Sequence, residues 1–203
     1  MTIHRRYEWS YGGFDAKIEI DWPREWRDAL RALPHHTNAA DYASYVFNDP
    51  FEEHLRQLID KIVAAGRENL DQTERKDLLQ FVVAFVQHLA YYRELGEYPR
   101  YPMETLIDGG GDCEDTAILA AFVARYLGYS CALLHFEKNE FLGLIRSGHM
   151  DLGVQASYDG EFSGTYWLDD AGTRFYYVSC NGEGRRIGQF DDRHGDRAAV
   201  YPV

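Results

Sequence analysis

The chain is poor in cysteine and has no long apolar run. Among its 203 residues there are three cysteines, Cys113, Cys131 and Cys180, with no paired spacing. An odd, unpaired set argues against both a disulfide framework and a structural zinc site. No stretch has the length of a membrane-spanning helix, and Met1 is not followed by the apolar run of a signal peptide. These absences predict a cytoplasmic protein.

Basic residues are also scarce, and lysine is the scarcest of them. The chain has 21 Lys and Arg against 33 Asp and Glu, which gives a formal net charge of -12 at pH 7. A surface of this sign repels phosphate backbones and anionic lipids, so neither nucleic acid nor a membrane is an expected partner. The histidines show no metal-ligand spacing, and no metal or cofactor is expected.

What the chain does have is enough apolar material for one core. Hydrophobic residues make up 45% of the sequence and aromatic residues 15%. No segment has the composition of a linker, so residues 1–203 are predicted to form a single domain. Within it we expect an N-terminal hairpin and helical part over 1–70, a core part over 71–190 and a tail over 191–203.

The sequence of the N-terminal half predicts one hairpin followed by helices. Alternating strands at 6–11 and 16–20 flank Gly12-Gly13, which predicts a hairpin turn. Helices are predicted from 21–23 to Pro34, from Asp49 to a stop at Gly66, and from a capping signal at 71–74 through Leu89. The last is the longest pattern and is apolar all round, so it should be buried. Residues 35–48 show no clear period.

The C-terminal half turns from helix to strand. A loop at 96–102 is followed by a helix over 113–127 and by strands at 130–136, 149–157, 165–168 and 174–180. A turn at 169–172 joins the last two strands. The polar stretch 191–196 is predicted to be part of the tail. This order indicates the α+β class.

Cys113 stands at a position that suits a nucleophile. It follows a glycine run and Asp112, at the first position of a predicted helix. The positive end of a helix favours a thiolate and offers backbone N–H groups to an oxyanion. Asp112, Glu114 and Asp115 oppose this effect, so the sequence leaves the sign of the pKa shift open.

His149 is the predicted partner of Cys113. It begins a strand that follows the helix and strand started by Cys113, an order that builds thiolate-imidazolium pairs. Taken alone, each residue would more often be structural. The combination favours a catalytic pair.

Three segments around these residues carry a family resemblance. They are 98–106, 110–116 and 148–150, supported by the Tyr-x-Trp-x-Tyr-Gly-Gly opening and by 182–188. Together they resemble the prokaryotic branch of the transglutaminase-like superfamily over nearly the whole chain. The resemblance implies a papain-like core, in which the nucleophile-bearing helix packs on an antiparallel sheet, with N-terminal helices and a hairpin. It also implies a Cys-His-acid triad, with Cys113 as nucleophile and His149 as general base and then acid.

The third member of that triad departs from the family pattern. The family carries an acid within a pattern close to Tyr-Tyr-x-Glu-Thr-Thr-Gly, and here Ser179 stands at the acid's position. A serine accepts a hydrogen bond from imidazole but brings no charge. Four residues are open as substitutes for the acid: Asn181, Asp169, Asp170 and Asp151. If none acts, Ser179→Glu should raise thiol reactivity.

The remaining site candidates each have a structural alternative. Gln87, a polar residue on an apolar helix, is either an oxyanion donor or a residue satisfied by a neighbouring loop. Arg100 could hold Asp112, Asp115 or a substrate carboxylate. Tyr101 is either a substrate-binding residue at the site or packing under the 96–102 loop, and Asp112 is a further substrate-binding candidate. Cys180 is a core residue, a partner of Cys131 or a resolving thiol beside Cys113, with core favoured.

Two functions follow from this reading. The first is a cysteine-dependent acyl-transfer enzyme acting on an amide or thioester carbonyl of a peptide, protein or small molecule. The second is a non-catalytic peptide- or protein-binding module with a degraded triad. Ser179 motivates the second, and the presence of both Cys113 and His149 favours the first.

Overall fold

The chain folds into helices packed on an antiparallel sheet, which confirms the α+β class. The computed structural model of the protein describes residues 1–93, 96–137, 139–141, 144–146, 148–190 and 197–203, with side chains described outside 138–147. The helices are α1 (Arg24–Arg31), α2 (Ala43–Phe47), α3 (Glu52–Asn69), α4 (Arg75–Gln87), α5 (Pro102–Asp108) and α6 (Cys113–Tyr126), with a turn of 3₁₀ helix at Ala39–Asp41. None of them, within the described residues, is long and apolar enough to cross a membrane.

The strands fall into one main sheet and three small pairs. They are β1 (Thr2–Tyr11), β2 (Phe14–Pro23), β3 (Ala90–Tyr91), β4 (Gly110–Gly111), β5 (Cys131–Phe136), β6 (Asn139–Phe141), β7 (Leu144–Arg146), β8 (His149–Val154), β9 (Tyr166–Leu168), β10 (Arg174–Val178) and β11 (Ala199–Pro202). The main sheet has the order β11-β5-β8-β10-β9, and each pairing in it is antiparallel. The pairs β1-β2 and β6-β7 are antiparallel, and β3-β4 is parallel.

The N-terminal hairpin is longer than predicted, because both strands extend to ten residues. Its turn is Gly12-Gly13, with φ of 61° and 81°. A two-residue turn of this kind matches the twist of the paired strands, and glycine adopts positive φ without steric cost.

The helix α3 contradicts the predicted stop at Gly66. It continues to Asn69 and, at 18 residues, is longer than the 13 residues of α4. A Cβ on Gly66 would lie 2.8 Å from the ring of Phe81 on α4. The glycine therefore allows α3 and α4 to pack closely, and the prediction mistook a packing glycine for a helix end.

The helix α4 is buried, as predicted. Every residue from Leu78 to Gln87 is buried. It begins at Arg75, just after the capping signal, and ends two residues before the predicted end at Leu89.

The predicted C-terminal strands are present, and three others that follow α6 were not predicted. The four predicted strands correspond to β5, β8, β9 and β10. The additions are the short pair β6-β7, between β5 and β8, and β11, which lies in the predicted tail and pairs with β5. The predicted tail segment at 191–196 lies outside the described residues.

The two faces of the sheet pack against different groups. Met150 and Leu152 on β8 belong to the large core that includes α4 and α6. The other face carries a smaller cluster, which consists of Leu134, Phe136 and Tyr177 with the partly buried Trp167, Phe190, Ala198 and Val200. Because side chains alternate along a strand, His149 and Asp151 project toward this second face.

Candidate active site

The glycines before α6 are required because other parts of the chain pass too close to their backbone for a Cβ to fit. At Gly110, where φ is 154°, a Cβ would lie 1.9 Å from the carbonyl oxygen of Ala90 on the paired strand. A Cβ on Gly111 would lie 2.2 Å from the carboxylate of Asp115. The run thus pairs β4 with β3 and fixes the point at which Cys113 begins α6.

Asp115 ties the start of α6 to the loop before α5. It is fully buried, and its carboxylate accepts the backbone N–H of Arg100 at 2.6 Å, the Arg100 guanidinium at 2.5 Å and the N–H of Asp112 at 3.1 Å. Burial raises the pKa of Asp115 to about 7, and the charge of Arg100 opposes that rise. Arg100 is 6% exposed and also contacts Asp108. Of the roles open to Arg100, the structure supports the one in which it holds Asp115.

Tyr101 packs in the protein interior, in agreement with its structural alternative. Its hydroxyl donates to the carbonyl oxygen of Pro34 at 3.1 Å, and its ring centroid lies 4.6 Å from that of Tyr45. Asp112, by contrast, is partly exposed and immediately precedes Cys113.

The thiol of Cys113 is surrounded by groups that keep it protonated. Its Sγ–H donates to Glu114 Oε2 at 3.3 Å. Burial, and then the charge of Glu114, raise the pKa of Cys113 well above its ordinary value. The backbone N–H of Met150 donates to Sγ and opposes part of that rise. Cys113 is therefore a thiol at neutral pH. The sequence left open whether the pKa of Cys113 is raised or lowered, and the structure shows that it is raised.

His149 is held by an acid on its own strand. Its Nε2 lies 2.7 Å from Oδ2 of Asp151, two residues further along β8. Asp151 is fully buried, and the same oxygen accepts the hydroxyl of Tyr177 at 2.5 Å. Its other oxygen accepts the backbone N–H of Cys180 at 2.8 Å. Three donors to one buried carboxylate fix its position and, through it, the orientation of the imidazole.

The thiol of Cys113 lies beside the beginning of β8, the strand that His149 begins. Sγ of Cys113 accepts the N–H of Met150, the residue that follows His149. The N–H of Leu152, on the same side of the strand, donates to Sγ of Cys180. Cys113 therefore lies beside the strand, just beyond the point where β10 ends.

Ser179 lies opposite Asp151. The register pairs Val178 with Leu152, and one step further it brings Ser179 across from Asp151. The Ser179 hydroxyl donates to the carbonyl oxygen of Asn181 at 2.8 Å. The position that the resemblance assigns to the acid is therefore next to the carboxylate that contacts His149.

The other three substitutes for the acid have different contacts. Asp169 accepts the backbone N–H groups of Ala171 and Thr173 and so stabilises the turn before β10. Asp170 is exposed in that turn. Asn181 receives a hydrogen bond from the hydroxyl of Thr116 at 3.2 Å. Among the four, Asp151 is the one with a described contact to the imidazole.

Gln87 has the contacts of its structural alternative. Its Nε2 donates to the carbonyl oxygens of Ser179 at 2.8 Å and Arg185 at 3.1 Å. Since an amide nitrogen has two hydrogens, both are engaged by the segment after β10. Gln87 anchors that segment to α4.

Cys131 and Cys180 agree with the core interpretation. They are 1% and 0% exposed, and both are free thiols. Their Sγ atoms contact the backbone carbonyls of Ala121 and Val178.

Two residues at this site were not singled out in the sequence. Tyr177 holds Asp151, and Tyr91, which is 56% exposed, lies close enough to Cys113 for the thiolate charge to raise the Tyr91 pKa, after burial. Glu114, expected to oppose the thiolate, accepts the thiol proton. An Asp two residues after a candidate His on a strand was the available signal for Asp151, because positions i and i+2 share a face.

Comparisons with known proteins give little further guidance. No protein-family model matches the chain, and no curated protein matches it in sequence. Among solved structures, a "Putative Cysteine Protease from Cytophaga hutchinsonii" aligns at 12% identity with a TM-score of 0.43. The alignment covers 87% of this chain and 61% of that one, so the chain spans less than two thirds of that protein. Values this low assign neither a fold family nor an activity.

Proposed function

We propose that the protein is a cysteine-dependent acyl-transfer enzyme of a papain-related, transglutaminase-like kind, either a peptidase or amidase or an acyltransferase. The observation that carries the proposal is the junction at β8. The thiol of Cys113 accepts the N–H of the residue next to His149, and His149 is held by the buried Asp151. A thiol beside the start of β8, a base at its first residue and an acid that orients the base are the parts that nucleophilic acyl transfer needs.

The reaction has two steps, the acylation of Cys113 and the release of the acyl group. First, His149 takes the proton of Cys113 while Sγ forms a bond to the carbonyl carbon of an amide or thioester. The bond to the leaving amine or thiol then breaks, and the imidazolium returns the proton to that group. Second, His149 takes a proton from water or an amine, which forms a bond to the thioacyl carbon. The bond between that carbon and Sγ then breaks, and the imidazolium returns the proton to the sulfur, which restores the thiol. The oxyanion would lie near the N–H groups at the start of α6.

The raised pKa of Cys113 favours one version of this chemistry. Because burial and Glu114 disfavour the thiolate, the resting enzyme would hold a neutral thiol. His149 would act as a general base at the moment of attack, rather than as one half of a resting ion pair. The orientation imposed by Asp151 then matters more, since the proton must pass directly to the imidazole.

A second function has an observation of its own. The Cys113 proton points to Glu114 at 3.3 Å, and the raised pKa makes the free thiol a poor nucleophile. Both are expected of a peptide- or protein-binding module that has lost turnover. In that case His149 and Asp151 would form a structural contact only.

Alkylation of the thiols separates the two functions. Iodoacetamide labelling from pH 6 to 9, followed by peptide mass mapping, would be compared in the wild type and in His149→Ala. We expect Cys113 to react at pH 7 and the reaction to slow at least tenfold in the variant. Cys131 and Cys180, which are buried, provide an internal control for unfolding.

Equal labelling of Cys113 in the two proteins would refute the role of His149 and favour the binding module. A panel of amide and thioester substrates then tests turnover, with Cys113→Ala as the inactive variant and Cys131→Ala as the matched control. Activity that persists in Cys113→Ala would remove the nucleophile from the proposal.

A further inference from the structure

Tyr177 contacts the acid at the oxygen that the imidazole uses. Its hydroxyl donates to Oδ2 of Asp151 at 2.5 Å, and His149 Nε2 lies 2.7 Å from that same atom. Burial and the charge of Asp151 raise the pKa of Tyr177, so the hydroxyl stays protonated and remains a donor. The Tyr177 hydroxyl and the imidazole therefore share one acceptor.

The ring of Tyr177 is fixed independently of its hydroxyl. It belongs to the cluster on the outer face of the sheet, with ring centroids 4.9 Å from Phe190, 5.9 Å from Trp167 and 6.4 Å from Phe136. It is 2% exposed. Since the aromatic cluster positions the ring, the hydroxyl has little freedom to move away from Asp151.

The backbone after Tyr177 is also anchored. Gln87 on α4 donates to the carbonyl oxygen of Ser179, and the next N–H, that of Cys180, donates to Oδ1 of Asp151. Tyr177 and Cys180 thus hold the two oxygens of the carboxylate separately. A carboxylate held at both oxygens has a defined plane, which sets the direction in which the imidazole lies.

We propose that Tyr177 is a positioning residue, whose hydroxyl fixes the Asp151 oxygen that orients His149. The proposal rests on the proposed function for its catalytic meaning, but the contact itself is independent of turnover.

The chain offers a matched pair of variants for the test. Tyr177→Phe removes the hydroxyl and keeps the ring in its cluster. Tyr176→Phe removes the hydroxyl of the adjacent residue, which lies on the other face and contacts Arg174. Both changes delete one oxygen from β10, and only the first touches Asp151.

The readout is the titration of His149, followed by NMR of histidine-labelled protein. The titratable groups around the His149–Asp151 pair are Tyr177 on β10, Cys180 just after it, Cys113 and Glu114 on α6, and His135 on β5, which pairs with Met150. When the Tyr177 hydroxyl no longer donates to Asp151, more of the carboxylate's negative charge is available to stabilise the imidazolium. We expect the His149 midpoint to rise by about half a unit in Tyr177→Phe and to stay unchanged in Tyr176→Phe.

Cys113 alkylation gives the second readout. Its rate at pH 7 should fall about three- to tenfold in Tyr177→Phe, with the acid limb of the pH profile moved upward by the same amount as the His149 midpoint. A His149 midpoint and alkylation rate equal to those of Tyr176→Phe would overturn the proposal. If Tyr177→Phe folds poorly, the wild-type Tyr177 hydroxyl proton should give a downfield, slowly exchanging resonance, and its absence would also overturn it.

The two levels of inference can fail separately. Alkylation that is unaffected by His149→Ala defeats the proposed function, while a moved His149 midpoint in Tyr177→Phe still supports the positioning contact. A working Cys113–His149 pair with an unmoved midpoint defeats the role of Tyr177 alone.

Discussion

The carboxylate that serves His149 should be movable between two adjacent strands. Asp151 and Ser179 face each other in the β8-β10 register, and both are buried. Opposed residues of neighbouring strands have Cβ atoms about 5 Å apart, a gap that the longer side chain of glutamate can cross. The test moves the carboxylate from position 151 to position 179 in the double variant Asp151→Ser, Ser179→Glu.

The single variants set the scale. Asp151→Ser leaves the Tyr177 hydroxyl and the Cys180 N–H without their acceptor, at about 1–3 kcal/mol for each buried group, so the free energy of unfolding should fall by about 2–6 kcal/mol. Loss of a triad acid lowers the rate by about 10³- to 10⁴-fold. Ser179→Glu alone puts a second carboxylate beside a buried one, which should lower stability without raising thiol reactivity.

The assays are urea unfolding and the Cys113 alkylation rate at pH 7. We expect the double variant to recover at least tenfold in rate over Asp151→Ser. A full rate in Asp151→Ser, or a rise in Ser179→Glu alone, would refute the assignment of the acid to Asp151. The second result would instead support the expectation from the sequence, that position 179 awaits an acid.

Three further predictions test the surroundings of the site. Glu114→Gln removes a charge that raises the Cys113 pKa, so alkylation at pH 8 should be several-fold faster; a slower rate would contradict this. Gly110→Ala would place a Cβ 1.9 Å from the Ala90 carbonyl oxygen, so urea unfolding should show a loss of about 3 kcal/mol or more, and wild-type stability would rule out the close approach. Burial raises the pKa of Asp49 from 3.8 to about 6. The folded state then binds more protons than the unfolded one between those values, and this group's contribution to stability should decline by about 2 kcal/mol as pH rises from 4 to 6.5. Asp49→Asn should flatten that part of the curve, and an identical curve would contradict the shift.

The sequence predicts those parts of the fold that depend on local patterns. Strands β5, β8, β9 and β10 have alternating or continuous apolar runs bounded by turn residues, and all four were predicted. The helix α2 has five residues, too few to show a period. The strand β11 forms because a distant partner, β5, has a free edge, and no local pattern records that. The prediction for Gly66 was wrong because the contact that requires a glycine there is with the ring of Phe81, which lies on another helix.

The same division applies to the site. Cys113 and His149 carry local signals, a glycine run before a helix and a His at the start of a strand. Asp151 stands two residues after His149 on the predicted strand, a spacing that places both side chains on one face, so the sequence held a signal that ranks it above the other substitutes. Gln87 was ambiguous because its partners at Ser179 and Arg185 are about a hundred residues away in the chain.

The alternation of side chains along β8 explains why the candidate Cys113–His149 pair must lie at the end of the strand. His149 and Asp151 project to the face away from α6, and the N–H groups of Met150 and Leu152 point sideways toward β10. Further along β8, β10 would fill the place that Cys113 takes. Where β10 has ended, a thiol from α6 can lie beside the strand, next to the residue that carries the imidazole.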